Sequence, residues 1–305
     1  MIRRDHSKTN EPSDIQVWRI HIRPDADPAY AFEICRKQGV IGVGWQVETQ
    51  HRQPFDLERY LEVAERTYAR HWKSCKSAVT LLARMACGDL MWTRDASGMY
   101  WLGRVQGPWE YRDRPENREA DITNVRPVDL VRIGDVACVP GKVVASMRSS
   151  RTVQRVHGNA VKAYSRYAFA KAKGESPPEI ENPDIFELLS AQDCEDIVFV
   201  LLQRRGWVVF PARRLADTMA YEYALRSAID GKAAVVQVKT GSTCIDLRAL
   251  PEGVQAFVFQ PNDMFEGQPT EHTTDLGRDE VLSFMRENRM ILPPVVTGWM
   301  DLAGL

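Results

Sequence analysis

Apolar and polar residues alternate along residues 15–23 (IQVWRIHIR), the period of a strand with one face in a core. A helix is expected over residues 29–38, because Gly39 just beyond it suits a left-handed cap. Residues 40–45 (VIGVGW) are an apolar strand in which Gly42 and Gly44 mark a close approach of backbone. Leu57, Tyr60, Leu61, Ala64 and Tyr68 recur at helical spacing and predict a helix over 56–75, followed by another over 77–87 that stops at Gly88. Two strands, DLMWTRD and GMYWLGRV, are joined through Ala96, Ser97 and Gly98. A further pair is expected at 121–131 and 135–139, ahead of Pro140 and Gly141. This stretch reads as a mixed, mostly antiparallel sheet with a few helices.

Residues 159–173 predict one basic helix, and ESPPEIENP at 175–183 predicts a proline-stiffened linker. Beyond it, 190–205 reads as a helix with Cys194, Val198, Leu201 and Leu202 on one face and Ser190 with Asp193 as a capping box. Strands follow at 207–210, 221–227 and 233–239, the last two joined by an Asp230-Gly231 turn. A short helix at 244–250, a strand at 254–260 and a helix at 278–288 complete an α-β-β-β-α-β order. The expected organisation is a tail over 1–14, a first domain over 15–157, a basic helix and linker over 158–184, and a second domain over 185–305. The fold class is α+β or α/β.

Composition narrows the choice. A chain of 305 residues with 44% hydrophobic and 27% charged residues is globular and long enough for two domains; collagenous, low-complexity and wholly disordered classes are excluded. No apolar run is long enough for a membrane-spanning helix, and MIRRDHSKTN has no apolar core behind its charges, so no secretory signal is expected. The 6 cysteines form no CxxC pair, which argues against a zinc ribbon and a disulfide framework and fits a reducing cytoplasm. The histidines lack ligand spacing and read as structural or surface residues. No GxxxxGK[ST] and no GxSxG occurs, so neither an ATP motor nor acyl transfer has support.

The net charge of −1 conceals an asymmetry: residues 1–157 hold 25 basic against 20 acidic side chains, residues 181–305 hold 11 against 19. Between Val136 and Gly174 there is no acid, while Lys142, Arg148, Arg151, Arg155 and Lys162 fall within the span. Such a one-sign segment attracts a polyanion, and these five are candidate phosphate contacts; a solvated basic connector is the other reading.

Two constellations carry chemistry. In AVVQVK, Gln237 and Lys239 lie two apart and share a strand face, with Val236 and Val238 on the other. Glu222 opens the preceding strand, Asp217 lies upstream of it, and Glu195 sits on the helix before. Oxygen ligands beside a lysine are what Mg²⁺ (or Mn²⁺) and an activated water require at a phosphodiester. The ordered set resembles the PD-(D/E)xK nuclease superfamily, in particular the Mrr-like restriction endonucleases, over roughly residues 185–260. Cys194-Glu195 through Leu202, then Gly206-Trp207 and Val209, match its helix motif, and Gln237-Val238-Lys239 matches its QxK variant. The resemblance implies a restriction-endonuclease-like domain in which Lys239 is catalytic, Gln237 lines a metal site and Glu195 supports it. The central acid is Glu222, 15 positions before Gln237, or Asp217, 20 before; Glu222 fits the spacing better.

The second constellation is aromatic. GVIGVGW, GDLMWTRD and GMYWLGRVQGPWEYR set Trp45, Trp92, Tyr100 and Trp109 beside glycines, where rings can stack a base that has left its duplex; core packing is the plainer reading of the same rings. The segments resemble the PUA-like/EVE group of small β-barrel domains over roughly residues 15–145. The resemblance implies a pocket for a flipped, modified base, with Trp45 and Trp92 as its walls, Tyr100 and Trp109 as further candidates, and Asp89 as a hydrogen-bonding partner. Together the two resemblances imply a modification-dependent DNA endonuclease acting with Mg²⁺, with a homodimer as a reasonable assembly. A nucleic-acid-binding protein with an inactive nuclease-like domain, and a defence or repair nuclease that reads DNA structure, stay open beside it.

Overall fold

The computed structural model describes residues 15–22, 24–48, 55–211 and 223–305. The chain is mixed α+β and divides into two compact units. Unit one comprises 1–139 and 146–179; unit two comprises 140–145 and 180–305.

Unit one begins with β1 (Val17–Ile20), α1 (Pro28–Gln38) and β2 (Val40–Val43). The Asp27 carboxylate caps α1 by accepting from Ala29 N, and Gly39 ends it in the left-handed conformation at φ 60°. Then come α2 (Leu57–Thr67), α3 (Trp72–Arg84), β3 (Leu90–Arg94), β4 (Tyr100–Val105), β5 (Glu110–Tyr111), α4 (Pro115–Glu119) and β6 (Asn124–Gly134). The short α5 (Gly141–Ser146) follows, most of it in unit two, and then β7 (Val153–Arg155) and α6 (Asn159–Lys173) return to unit one. The strands of unit one make one curled, half-barrel sheet in the order β2-β6-β4-β3-β1-β7, with β5 paired to β6. Among the described residues of this unit, β1 and β3 are the only parallel pair.

Helix α3 packs against β2, β6 and β7, which include both terminal strands of that order, and so fills the open side of the curl. Its Val79 and Leu82 join Ile20, Ile41, Met91 and Val105 in the main core. Helix α6 packs against β4, β6 and β1, with Ser165 Oγ accepting from Trp92 Nε1 at 2.9 Å. Two buried arginines are held by carbonyls. Arg126 donates to Leu82 O and Ala83 O, where the free carbonyls at the end of α3 concentrate negative potential, although burial pulls its guanidinium pKa down. Arg19 donates to Arg151 O, to Thr152 O at 3.1 Å and to Gln154 Oε1 at 3.0 Å, tying β7 to β1.

Unit two contains α7 (Ile185–Leu188), α8 (Ala191–Arg204), β8 (Trp207–Pro211), β9 (Tyr223–Ser227), β10 (Ala233–Val238), β11 (Ile245–Asp246), β12 (Gln255–Phe259), β13 (Phe265–Glu266), β14 (Thr273–Asp275), α9 (Arg278–Glu287) and α10 (Pro294–Ala303). Its five-stranded sheet has the order β14-β12-β10-β9-β8; β8, β9 and β10 are antiparallel neighbours, whereas β12 runs parallel to β10 and β14 to β12. The capping box on α8 is present as expected, with Ser190 and Asp193 bonded reciprocally. Cys194, Ile197, Val198, Leu201 and Leu202 are its buried residues.

Several expected elements change. The helix over 56–75 is two helices broken at residues 68–71, and Ser77 belongs to the second of them. Strand β2 stops at Val43, before Trp45. The strand pair at 121–131 and 135–139 is one long strand, β6, followed by a 3-10 turn over Val136–Cys138. The short helix at 244–250 is a two-residue strand and a 3-10 turn over Leu247–Ala249. Among the described residues, no helix is long and apolar enough to cross a membrane.

Gly141 has no room for a side chain: a Cβ there would collide with Leu189 O and the Ser190 backbone, neither of which can rotate away. Gly141→Ala should destabilise unit two by about 1–3 kcal/mol, read as a lower melting temperature. An unchanged melting curve would contradict this packing.

Candidate functional site

The largest change from the expected picture surrounds Trp45. Its φ of 66° places a bulky residue in the left-handed region, which costs of order 1–3 kcal/mol unless the surroundings enforce it. Four side chains do so, one on each successive carbonyl. Asn124 Nδ2 donates to Gly44 O at 2.6 Å, Tyr60 Oη to Trp45 O at 2.9 Å, Tyr68 Oη to Gln46 O, and Tyr111 Oη to Val47 O at 2.9 Å. Tyr111 Oη also accepts from Val47 N at 2.8 Å, and Arg118 Nη2 adds a second donor to Val47 O. Burial pushes the Tyr68 hydroxyl up to about 12, with the neighbouring Asp121 charge adding to the effect, and burial raises Tyr60 and Tyr111 as well. All three therefore stay protonated donors at neutral pH.

This chain reversal opens a cavity of about 370 Å³, in the range of small-ligand sites, lined among others by Gly44, Trp45, Tyr68, Asp25, Asp121 and Thr152. The Trp45 and Tyr68 rings meet edge to face, with centroids 5.0 Å apart and an interplanar angle of 87°. Asp121 lies against Gly44 so closely that a Cβ on the glycine would strike its carboxylate. Its oxygens accept from Asp25 N at 3.1 Å and Gln46 Nε2 at 3.2 Å. Burial raises the Asp121 pKa above the ordinary carboxylate range; the two donors oppose that shift and the Asp25 charge adds to it.

Of the residues expected to form a base pocket, only Trp45 lines this cavity. Trp92 is fully buried between sheet and α6, and Tyr100 is a core residue. Trp109 packs its ring on Tyr60 at 5.6 Å. Asp89 is a buried structural anchor that accepts from Gln16 N, Trp18 Nε1 and Ala86 N at 2.9, 2.8 and 3.0 Å. For the two strand residues the reason is position: Trp92 on β3 meets Ser165 of α6, and Tyr100 lies on β4, against which α6 packs, so both meet protein instead of solvent. Asp121, Tyr68 and Thr152 were missed. Asp121 stood in an expected strand, Tyr68 in an expected unbroken helix, and Thr152 in a basic connector.

Arg148, Arg151 and Arg155 are exposed, and Arg151 directly precedes the cavity-lining Thr152. Lys162 is half-buried on α6. Lys142 is half-buried, and its Nζ pairs with Glu187 Oε1 at 2.7 Å.

In unit two, Gln237 is a buried residue of β10 in register with Val258, and Lys239, just past the strand, donates its N–H to Phe259 O at 3.0 Å. Glu195 is half-buried on α8 beside the buried Cys194. The turn after Lys239 is locked by Gln260, whose Nε2 donates to Gly241 O and Thr243 O, and by Asn262 Nδ2, which donates to Gly241 O at 2.9 Å. Nothing in the sequence distinguished Gln260. The antiparallel register of β9 and β10 ends at Tyr223 opposite Val236. Glu222 and Asp217 lie outside the described residues. Among the described residues, no three His, Cys, Asp or Glu side chains converge as a metal cluster.

Comparison of the chain with protein-family models, curated proteins and solved structures finds no match.

Asp89→Ala leaves the buried Trp18 Nε1 and the partly buried Gln16 N and Ala86 N without their acceptor and should cost about 1–3 kcal/mol. A melting temperature equal to that of the unsubstituted protein would rule out the anchoring role.

Proposed function

We propose that the chain is a DNA endonuclease that reads an extruded, modified base in unit one and cleaves the phosphodiester with unit two. The observation that carries this reading is the cavity at Trp45. It is sized for a small ligand, walled by two aromatic rings and two carboxylates, and its lining residue Thr152 directly follows the exposed Arg151. Aromatic walls supply stacking for a base released from its duplex, and the carboxylate supplies hydrogen-bond acceptors for its edge. Arg148, Arg151 and Arg155 contribute the sequence-independent attraction to phosphate.

For unit two, the reading rests on the buried Gln237 near the end of β10, Lys239 two positions further on and the turn fixed behind it by Gln260. Hard oxygen donors beside a lysine suit Mg²⁺ or Mn²⁺ rather than a thiolate-preferring metal. Gln237, with Glu222 or Asp217, would hold the ion and Glu195 would support the site; the ion, when bound, polarises the phosphodiester and acidifies a water. Lys239 is assigned to orient that water and take up its proton. The alternative of a binding protein with an inactive second unit makes the same prediction for the cavity and the opposite one for Lys239.

With duplexes carrying one mispaired base, Trp45→Ala should weaken binding about tenfold or more, the worth of one stacked base. Replacing Arg148, Arg151 and Arg155 with glutamine should flatten the dependence of log affinity on log salt by about one unit for each phosphate no longer engaged. With Mg²⁺ present, Lys239→Ala should lower cleavage by about 10²–10⁴ at unchanged binding. Binding without any cleavage by the unsubstituted protein would favour the inactive-nuclease alternative. Binding indifferent to Trp45 would reject the base pocket.

A further inference from the structure

We propose that Asp121 selects the base by its Watson–Crick edge, accepting two adjacent hydrogen bonds from a guanine-type purine. This rests on the reading of the cavity as a base pocket and adds which class of base fits it.

The cavity holds two carboxylates, Asp25 and Asp121, and among the described residues neither lysine nor arginine lines it. A ligand group that is itself anionic is therefore unsuited to its floor, although the arginines outside suit a phosphate backbone. What the floor requires is donors. Asp121 is held rigidly to meet them. Its φ is 51°, its N–H donates to Arg118 O, and its oxygens accept one hydrogen bond each from Asp25 N and Gln46 Nε2. A carboxylate has about four acceptor sites, so two bonds leave each oxygen able to accept one more.

Two parallel acceptors match two parallel donors. Guanine presents such a pair in N1–H and its 2-amine. Cytosine and adenine place an amine beside a bare ring nitrogen, which a carboxylate oxygen repels, and thymine places N3–H between two carbonyls. A base stacked on Trp45 lies edge-on to the perpendicular Tyr68 ring. Tyr68 Oη is committed to Gln46 O and does not compete for that edge as a donor.

The pairing has a definite pH dependence. Guanine requires Asp121 ionised, so bound guanine lowers the Asp121 pKa below its value in the empty cavity. Affinity is full above the empty-cavity value and falls as pH falls through it. Burial has raised that value, so the loss starts above the pH at which an exposed aspartate would titrate. Among the described residues, the other ionisable groups around the carboxyl are Asp25 from the β1–α1 loop, His21 after β1, Tyr68 and His71 from the α2–α3 turn, and Arg118 of α4, whose guanidinium faces Asp113 and Glu48. Protonation of either histidine favours an ionised Asp121 and opposes the predicted loss. A shared-proton pair with cytosine or adenine would strengthen as pH falls, the opposite sign.

The test uses the full chain and duplexes that differ only in one target base set opposite an abasic site: guanine, inosine, adenine, cytosine or thymine. Expected is guanine tightest, inosine weaker because it lacks the 2-amine, and the other three about tenfold or more below guanine. Guanine affinity should drop on acidification. Asp121→Asn, which tolerates the left-handed backbone, should remove both the preference for guanine and its acid sensitivity, and its pH profile reports what the histidines contribute. Should that variant unfold, the base series and pH profile of the unsubstituted protein decide alone. Equal or tighter binding of adenine, cytosine or thymine that still depends on Trp45 overturns the edge assignment and leaves the base pocket standing. Base preferences that survive Trp45→Ala reject the pocket itself.

Discussion

Unit one is organised around a backbone reversal that no single residue would adopt freely. A tryptophan in the left-handed region is disfavoured, and four consecutive peptide carbonyls after β2 would otherwise lack partners. The fold resolves both problems with side chains drawn from α2, the α2–α3 turn, β5 and β6. None of those donors is near Trp45 in sequence, so the reversal forms only when the sheet has curled and α2 has docked. The cavity follows directly. Its wall is the face of the reversed segment, and its floor is the carboxyl that fits against Gly44.

The polar interior extends the same logic. Arg19 and Arg126 are buried cations whose guanidiniums donate to neutral oxygens, backbone carbonyls for both and the Gln154 amide for Arg19. Carbonyl dipoles stabilise a buried cation less than a carboxylate does, which accords with the lowered pKa of Arg126. The benefit is geometric. Arg126 fixes the end of α3 to the sheet, and Arg19 holds the segment that brings Thr152 to the cavity. Unit two uses Gln260 in a comparable way behind Lys239, with an uncharged amide in place of a cation.

Much of the fold was legible in the residues. The Gly39 and Ser190 caps, the hairpin through residues 96–98 and the strands of AVVQVK and QAFVF all rest on local chemistry, and local chemistry is what sequence records. The failures have a shared cause. Alternation in IQVWRIHIR predicted a face for Arg19 in water, yet every residue of β1 is buried, because helices cover the curled sheet. The aromatic residues were ambiguous for the same reason. Trp45 and Trp92 both sit in apolar runs flanked by glycine, and only long-range packing separates the one at the cavity from the one beneath α6. Asp121 owes its place to a turn in the left-handed conformation that its own sequence, EADIT, does not announce.

The chain also does not finish one unit before starting the next. Residues 140–145 are built into unit two, where Gly141 packs on the start of α8; the chain then returns to unit one to lay down β7 and α6. Neither unit is therefore a contiguous cassette. A single crossover between genes anywhere from 140 to 179 would separate a unit from part of itself, so shuffling these two halves with other partners demands three coordinated joints. Such interleaving ties the inheritance of the cavity to that of the unit that shares its chain.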